Sequence, residues 1–376
     1  MDASYSWHQG TGRVTARWAI PVPLLPDELF STWLARAALA QGCDPLVLTG
    51  VLWPKWRGWT TDLDRGLSVE RLSVLAQVSG IEVPSFEAAS LRPIVSAVTT
   101  EPLDDLAIWP WMLAQGTRNR RRHGGLQYCP SCLREDKKPY FRAQWRLAWH
   151  TGCAKHGVML LDRCPHCNAP IEPHRLSALD NAMTSCATCK RDLREAMSIQ
   201  IESDAITFQQ AAKHVVIQRQ GSYGIEPLSS VEWFALSRYF VLLLRKVSIN
   251  KSEHLTAFAK LLDVDVKSIT PPATGLALEL LPVQERSVLL SGAWRMIKAG
   301  PERFVDAAKV ESLAASSLRE KGHSVPRCIQ MIIQTLPDKS ISRKWKGKDG
   351  IPNPRSRQAV MRMWARLQRK MQMVAR

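Results

Sequence analysis

The sequence predicts a mainly α, multidomain protein, and three observations lead there. Its 376 residues exceed one ordinary domain. Apolar residues recur at helical spacing in the N-terminal third and again in the C-terminal half. Between them, seven of the nine cysteines fall in a short stretch, positions 129 to 189, which sets that segment apart from both helical regions. The expected organisation is a flexible extension over 1–19, an N-terminal helical (helix-turn-helix-like) domain over 20–115, two cysteine modules over 116–160 and 161–198, a C-terminal helical domain over 199–338, and a basic linker with an amphipathic terminal helix over 339–376.

In the N-terminal block, Leu29, Trp33, Ala37 and Leu39 or Ala40 form a helical stripe after a Pro-Asp start. Trp53, Trp56 and Trp59 surround Pro54 and Gly58 and are expected to plug the seam between helices. Ser68 can cap a helix from Val69 to Val78 with Leu72, Leu75 and Ala76 facing inward, ended by Gly80. A second short helix over Pro84–Ala89 would complete a helix-turn-helix. That second helix offers Ser85, Glu87 and Ser90 with only Arg92 adjacent, which favours protein docking over DNA reading. After Cys189, Val231–Leu244 reads as a buried helix, Leu255–Leu262 with Val264–Ser268 as a second helix-turn-helix-like corner, and Pro282 opens a helix containing Val288, Leu289 and Trp294.

The clustered cysteines read Cys129-Pro-Ser-Cys132, Cys153-Ala-Lys-His156, Cys164-Pro-His-Cys167 and Cys186-Ala-Thr-Cys189. Two soft donors separated by two residues can be aimed by a tight turn at one tetrahedral metal. Seven thiolates and one imidazole make two complete four-coordinate sites, and zinc suits a mixed Cys/His tetrahedron without redox chemistry. Pairing in sequence gives Cys129, Cys132, Cys153 and His156 to one ion and Cys164, Cys167, Cys186 and Cys189 to the other. A crossed pairing is open on spacing alone; the sequential one closes shorter loops. With every donor used, both sites read as structural. His150, His166 and His174 are read as surface or outer residues. Between the pairs, Phe141, Trp145 and Trp149 fall at i, i+4 and i+8, one helix face forming a small core, with Arg142 and Arg146 on another.

Net charge is +17, and its placement matters more than its total. Residues 1–115 sum to −4, 116–198 to +8, 199–338 to +2 and 339–376 to +11. A polyanion would therefore be met by the middle and the end of the chain. Candidate phosphate contacts are Arg118, Arg120, Arg121 and Arg122 ahead of the first cysteine pair, then Lys344, Lys346, Lys348 and Arg355. In the last segment Ser356 caps a helix with a stripe of Val360, Trp364, Leu367, Met371 and Val374, flanked by Arg357, Arg362, Arg366, Arg369 and Lys370. Such a helix can bind nucleic acid or dock on protein. No long apolar run or secretory leader opens the chain, so neither a membrane partner nor secretion is expected.

Two sets of residues resemble the TniQ family, which includes TnsD, the target-selection proteins of a group of bacterial transposons. Pro26-Asp-Glu-Leu-Phe-Ser-Thr-Trp33-Leu-Ala-Arg36 is similar to the family's opening pattern, and Trp59-Thr-Thr-Asp62-Leu-Asp64 to its aromatic-acidic stretch. Tyr128-Cys-Pro-Ser-Cys132-Leu-Arg-Glu-Asp136, Trp145, Cys153-Ala-Lys-His156-Gly157 and Leu161-Asp-Arg-Cys164-Pro-His-Cys167 resemble its zinc region. The likeness covers roughly residues 20–195, with a weak echo at Gly300-Pro-Glu-Arg-Phe304, and is strongest to TniQ of mercury-resistance-type transposons. It implies a bacterial, cytoplasmic, non-catalytic adaptor with two structural zinc ions. The implied partners are target DNA, or a target-bound protein or guide-RNA complex, together with an AAA+ ATPase of the TniB/TnsC kind. A transposase of the TniA/TnsB kind would be engaged indirectly, and a homodimer is allowed.

The motifs for catalysis are missing. There is no Gly-x-x-x-x-Gly-Lys-[Ser/Thr] phosphate loop, no Gly-x-Ser-x-Gly and no His-Glu-x-x-His. The competing class is a stand-alone zinc-containing transcriptional regulator, which would bind an operator tightly without a partner.

Overall fold

The structure is a computed structural model that describes residues 16–115, 125–180, 182–250, 252–269, 276–319 and 324–338, with 357, 360, 361 and 364. Contacts divide the chain into two units, Met1–Pro337 and Asp338–Arg376. The first is mainly helical, and its only sheets among the described residues are two two-stranded hairpins.

The N-terminal core is built around α1 (Phe30–Ala40). Nine of its eleven residues are buried, so it is a central helix rather than a surface one. Phe30, Trp33 and Leu34 pack with α2 (Pro45–Leu52), α3 (Val69–Ser79) and α4 (Val83–Ala88) in one cluster that includes Leu48, Leu72, Leu75 and Phe86. Trp33 lies 5.0 Å from Phe86, and its indole N–H donates to Val22 O at 3.1 Å. Trp18 N–H donates to Val78 O, so residues at the start of the described chain already lie against α3.

The turn between α3 and α4 follows from Gly80, whose φ of +76° suits only glycine without strain. Ser68 does sit at the N-cap of α3, yet its hydroxyl makes no capping bond; Arg71 Nη1 donates to it at 3.4 Å instead. Trp53 is buried edge-on against Trp56, whereas Trp59 turns away, donating to Thr49 Oγ1 and stacking on His174 at 5.1 Å. A short helix α5 (Arg92–Val95) closes this region.

The cysteine-rich centre has little regular structure: α6 (Pro130–Glu135), and a hairpin of β1 (Gly152–Cys153) with β2 (Val158–Met159). The helix expected over Tyr140–Trp149 is not formed. A single 3-10 turn, Ala143–Arg146, interrupts extended chain whose backbone bonds reach other segments: Leu29 N–H to Phe141 O, Ala143 N–H to Asp27 O, and Ala148 N–H to Trp111 O. Phe141, Trp145 and Trp149 are nonetheless all buried.

The C-terminal half is a helical layer. α7 (Ser203–Gln218) leads into the hairpin β3 (Gln220–Tyr223) and β4 (Glu226–Ser229), then α8 (Ser230–Asn250) and α9 (Glu253–Leu261). The corner after α9 carries a 3-10 turn, Val266–Ser268, in place of a second helix. α10 (Val283–Val310) begins after Pro282 as expected and breaks at Gly300, where φ is +75° and ψ is 174°. Pro301 restarts it, and Phe304 beyond the break packs edge-on against Phe258. Short helices α11 (Ala315–Leu318) and α12 (Arg327–Gln334) follow. No helix among the described residues is long and apolar enough to cross a membrane.

In the second unit, Arg357, Val360, Met361 and Trp364 are helical, and all four are exposed. The rest of the expected stripe, Leu367, Met371 and Val374, and the basic candidates Lys344, Lys346, Lys348, Arg355, Arg362, Arg366, Arg369 and Lys370 lie outside the described residues. So do Arg118, Arg120, Arg121 and Arg122.

Candidate metal centres and the charge network around them

The structure gathers the donor pairs in sequence order. Cys129, Cys132, Cys153 and His156 form one group and Cys164, Cys167, Cys186 and Cys189 the other, with the donor atoms of each within 4.8 Å of one another. In the first group His156 Nδ1 lies 3.4 Å from Cys129 Sγ, 3.4 Å from Cys132 Sγ and 3.3 Å from Cys153 Sγ, and Cys132 Sγ lies 3.5 Å from Cys153 Sγ. In the second, Cys164–Cys189 and Cys167–Cys186 are 3.7 Å apart. A tetrahedral ion with bonds of about 2.3 Å to sulfur puts sulfurs about 3.8 Å apart, and no disulfide has this separation. Each group therefore can hold one metal ion, and the donor set is consistent with zinc.

Local backbone explains the convergence. Three of the four pairs end in the same device: the residue after the second donor is left-handed and its N–H bonds the carbonyl of the first. Gly157 (φ 65°) bonds Cys153 O at 2.8 Å, Asn168 (φ 56°) Cys164 O at 2.9 Å and Lys190 (φ 64°) Cys186 O at 2.9 Å. This turn points both donor side chains to one side. The fourth pair uses a helix start: Cys129 caps α6, and Cys132 sits in its first turn. The second face of the His156 ring is fixed by Glu135, whose carboxylate lies 2.9 Å from Nε2 and is itself paired with Lys155 at 2.6 Å. A carboxylate on the far nitrogen sets the tautomer that leaves Nδ1 free to bind metal. Sequence reasoning passed over Glu135, although it stands three residues after Cys132 on the same short helix.

Burial separates the two groups. In the first, the cysteines are buried and His156 is half-buried; in the second, Cys167 is exposed and Cys189 half-buried. They are coupled through α6, where the Arg134 guanidinium donates to Arg194 O on the 3-10 turn Leu193–Glu195. His150, read as a surface or outer residue, is buried, and burial lowers its pKa to about 3. Burial also lowers His174, to about 4, with Arg175 adding to the effect.

The first group is tied to the N-terminal helices by a buried cation. Arg146 is fully enclosed; its guanidinium pairs with Asp64, donates to Asp62 Oδ2 at 2.7 Å and donates to Leu113 O at 2.8 Å. Asp64 also accepts from Ser31 N at 2.7 Å, Ser31 Oγ at 2.9 Å and Gln115 Nε2 at 3.2 Å. Burial pushes the Asp64 pKa up to about 6 against the pull of Arg146, so it is a carboxylate at neutral pH. Arg146 is therefore not the surface residue a helical reading makes it. It is the counter-charge for the Asp62-Leu-Asp64 stretch, 82 residues away in sequence.

Two further charges join the centre to the C-terminal layer. Arg286, also fully buried, donates to Ala148 O at 2.7 Å, Gln127 Oε1 at 2.7 Å and Leu281 O at 3.1 Å; burial lowers its pKa to about 10, which leaves it charged. Glu279 accepts from Trp111 N at 2.8 Å and pairs with Arg238, whose guanidinium lies 4.5 Å from the Trp111 ring centroid. Trp111 has φ of +62°, uncommon for a bulky residue, and is held there by these partners and by Ala148. Buried charges thus join the region of the first metal group to both helical regions.

Residues 19–160 match the model of the TniQ family, a span that takes in the N-terminal helices, Arg146 and the whole first metal group. No curated protein matches the chain.

Proposed function

We propose, for a chain that belongs to the TniQ family by its residues 19–160, the role of a transposition-associated target-selection adaptor that works by binding. The observation that supports this most is where the family span ends: at the first four-donor group, which Arg146 locks to the N-terminal helices. In this reading both groups hold zinc with no coordination position left for water, so the ions shape a recruiting surface. One surface meets the target, on DNA or through a target-bound protein or guide-RNA complex. Another recruits an AAA+ ATPase, which brings the transposase. The positive segments, Arg118 and Arg120–Arg122 and the tail from Lys344 onward, supply phosphate contacts.

A pull-down with an AAA+ ATPase of the TniB/TnsC kind, with and without target DNA, tests the reading. Retention by the ATPase together with weak, salt-sensitive DNA affinity supports it. Nanomolar-range binding of one DNA sequence by the chain alone, with no retention of the ATPase, would overturn it in favour of a stand-alone regulator. Replacing Lys344, Lys346 and Lys348 with alanine should reduce the slope of log affinity against log salt by about 2.7.

A further inference from the structure

A groove in the N-terminal region, apart from the metal groups, has two unlike ends. One end is a cavity of about 480 Å³ whose walls include Arg65, Arg71, Arg92, Trp56 and Trp109. Arg71 lies over the Trp56 ring at 4.1 Å, and Arg65 and Arg92 lie over Trp109 at 5.0 and 5.4 Å. The other end, about 390 Å³, is lined by Phe30, Leu67, Leu72, Phe86 and Pro93. Gly66, Leu67 and Arg92 line both, so the two cavities adjoin.

The cationic end has unspent capacity. Arg71 bonds Ser68 Oγ at 3.4 Å, and none of the ion pairs among the described residues includes it. Arg65 is already engaged, with two nitrogens on Leu106 O and Ala107 O and its buried Nε 3.7 Å from Asp62 Oδ2, so the free capacity lies on Arg71 and Arg92. Arg92 pairs with Asp104 at 2.7 Å, but both are exposed, so a competing carboxylate can replace Asp104 at little cost. Stacking on tryptophan holds guanidiniums in fixed planes, which suits bidentate capture of carboxylates.

We infer that this groove takes an acidic-apolar peptide segment of a partner protein, with a leucine or phenylalanine in the Phe30–Phe86 end and flanking Asp or Glu on Arg71 and Arg92. Charge and shape favour a peptide over nucleic acid. The apolar end has nothing to offer a phosphate backbone, and a duplex is too wide for a cavity of this size. The inference goes beyond the adaptor reading and stands without it, since the assay below measures only this groove.

The probe is the fluorescein-labelled peptide Gly-Ser-Asp-Glu-Leu-Leu-Glu-Asp-Ser-Gly, titrated by fluorescence anisotropy with the full chain. Two control peptides replace the acids by their amides, or both leucines by serine. The acidic peptide is expected to bind about ten-fold or more tightly than either control. Arg71→Glu should lose that preference, Arg71→Lys should retain part of it, and Ala88→Trp, at an exposed wall position of the apolar end, should block binding. Equal affinity for the acidic and amide peptides would overturn the inference. So would absence of saturation up to roughly 1 mM, or a single-stranded oligonucleotide that displaces the peptide and itself fails to bind the Arg71→Glu chain. The peptide comparison on the unaltered chain stays decisive if a variant fails to fold, which a melting curve on each sample reports.

Discussion

At the scale of single residues, Arg146 carries the largest electrostatic burden. Replacing it with Met leaves Asp64 fully enclosed without its cation, beside Asp62, which keeps only Arg65 at 3.7 Å. Removing one partner of a buried pair costs about 3–5 kcal/mol, so Arg146→Met should lower the unfolding free energy by that order, measured by urea denaturation. The double variant Arg146→Met with Asp64→Asn should recover part of the loss, because the uncompensated charge has gone. His174 gives a pH signature. Its folded pKa is depressed to about 4, against 6.5 for the free side chain. The unfolded chain therefore takes up the proton first, and stability contributed by the neutral ring is full above pH 6.5 and lost as pH falls towards 4. His174→Phe keeps a ring on Trp59 and cannot titrate. Its unfolding free energy should fall less steeply than the parent's between pH 6.5 and 5, a difference of at most about 1.4 kcal/mol per pH unit.

Elements differ in how far the sequence exposes them. α1, α3, α8 and the start of α10 are legible because their apolar residues repeat with the helical period and their ends are marked, Gly80 and Pro282 among them. The donor pairs are legible because metal chemistry fixes spacing as well as residue type, and the structure draws them together in sequence order. The stretch over Tyr140–Trp149 misleads: Phe141, Trp145 and Trp149 repeat every four residues and are buried, yet the backbone between them bonds to two distant segments, around Asp27–Leu29 and Trp111–Leu113. Such non-local bonds leave no periodic trace, and the same holds for Arg146 with Asp64 and for Trp111 with Glu279, 168 residues apart. The two metal groups should also respond unequally to substitution. Cys132→Ser and Cys167→Ser are each expected to reduce bound zinc from two ions per chain to one, by elemental analysis, with Cys132→Ser giving the larger drop in melting temperature. Cys132 is buried at the first turn of α6, whereas Cys167 is exposed and its loop can relax into water.

Across the whole first unit, the paired charges argue for one cooperative body. Arg146 joins the N-terminal helices to the first metal group, Arg134 joins that group to the second, and Arg286 and Glu279 join the centre to the C-terminal layer. Stripping zinc with a strong chelator should accordingly give a single unfolding transition reported alike by far-ultraviolet circular dichroism and tryptophan fluorescence. Two separated transitions would show that the metal groups melt as independent modules.

The enclosure of Arg146 has a consequence for anyone dividing this chain. A fragment that stops near Gln115 keeps Asp62 and Asp64 yet discards the guanidinium that neutralises them, and a fragment that starts later keeps the guanidinium with nothing to neutralise. Either piece alone should be sticky, short-lived and readily digested by trypsin, whereas the two mixed in one tube should find each other.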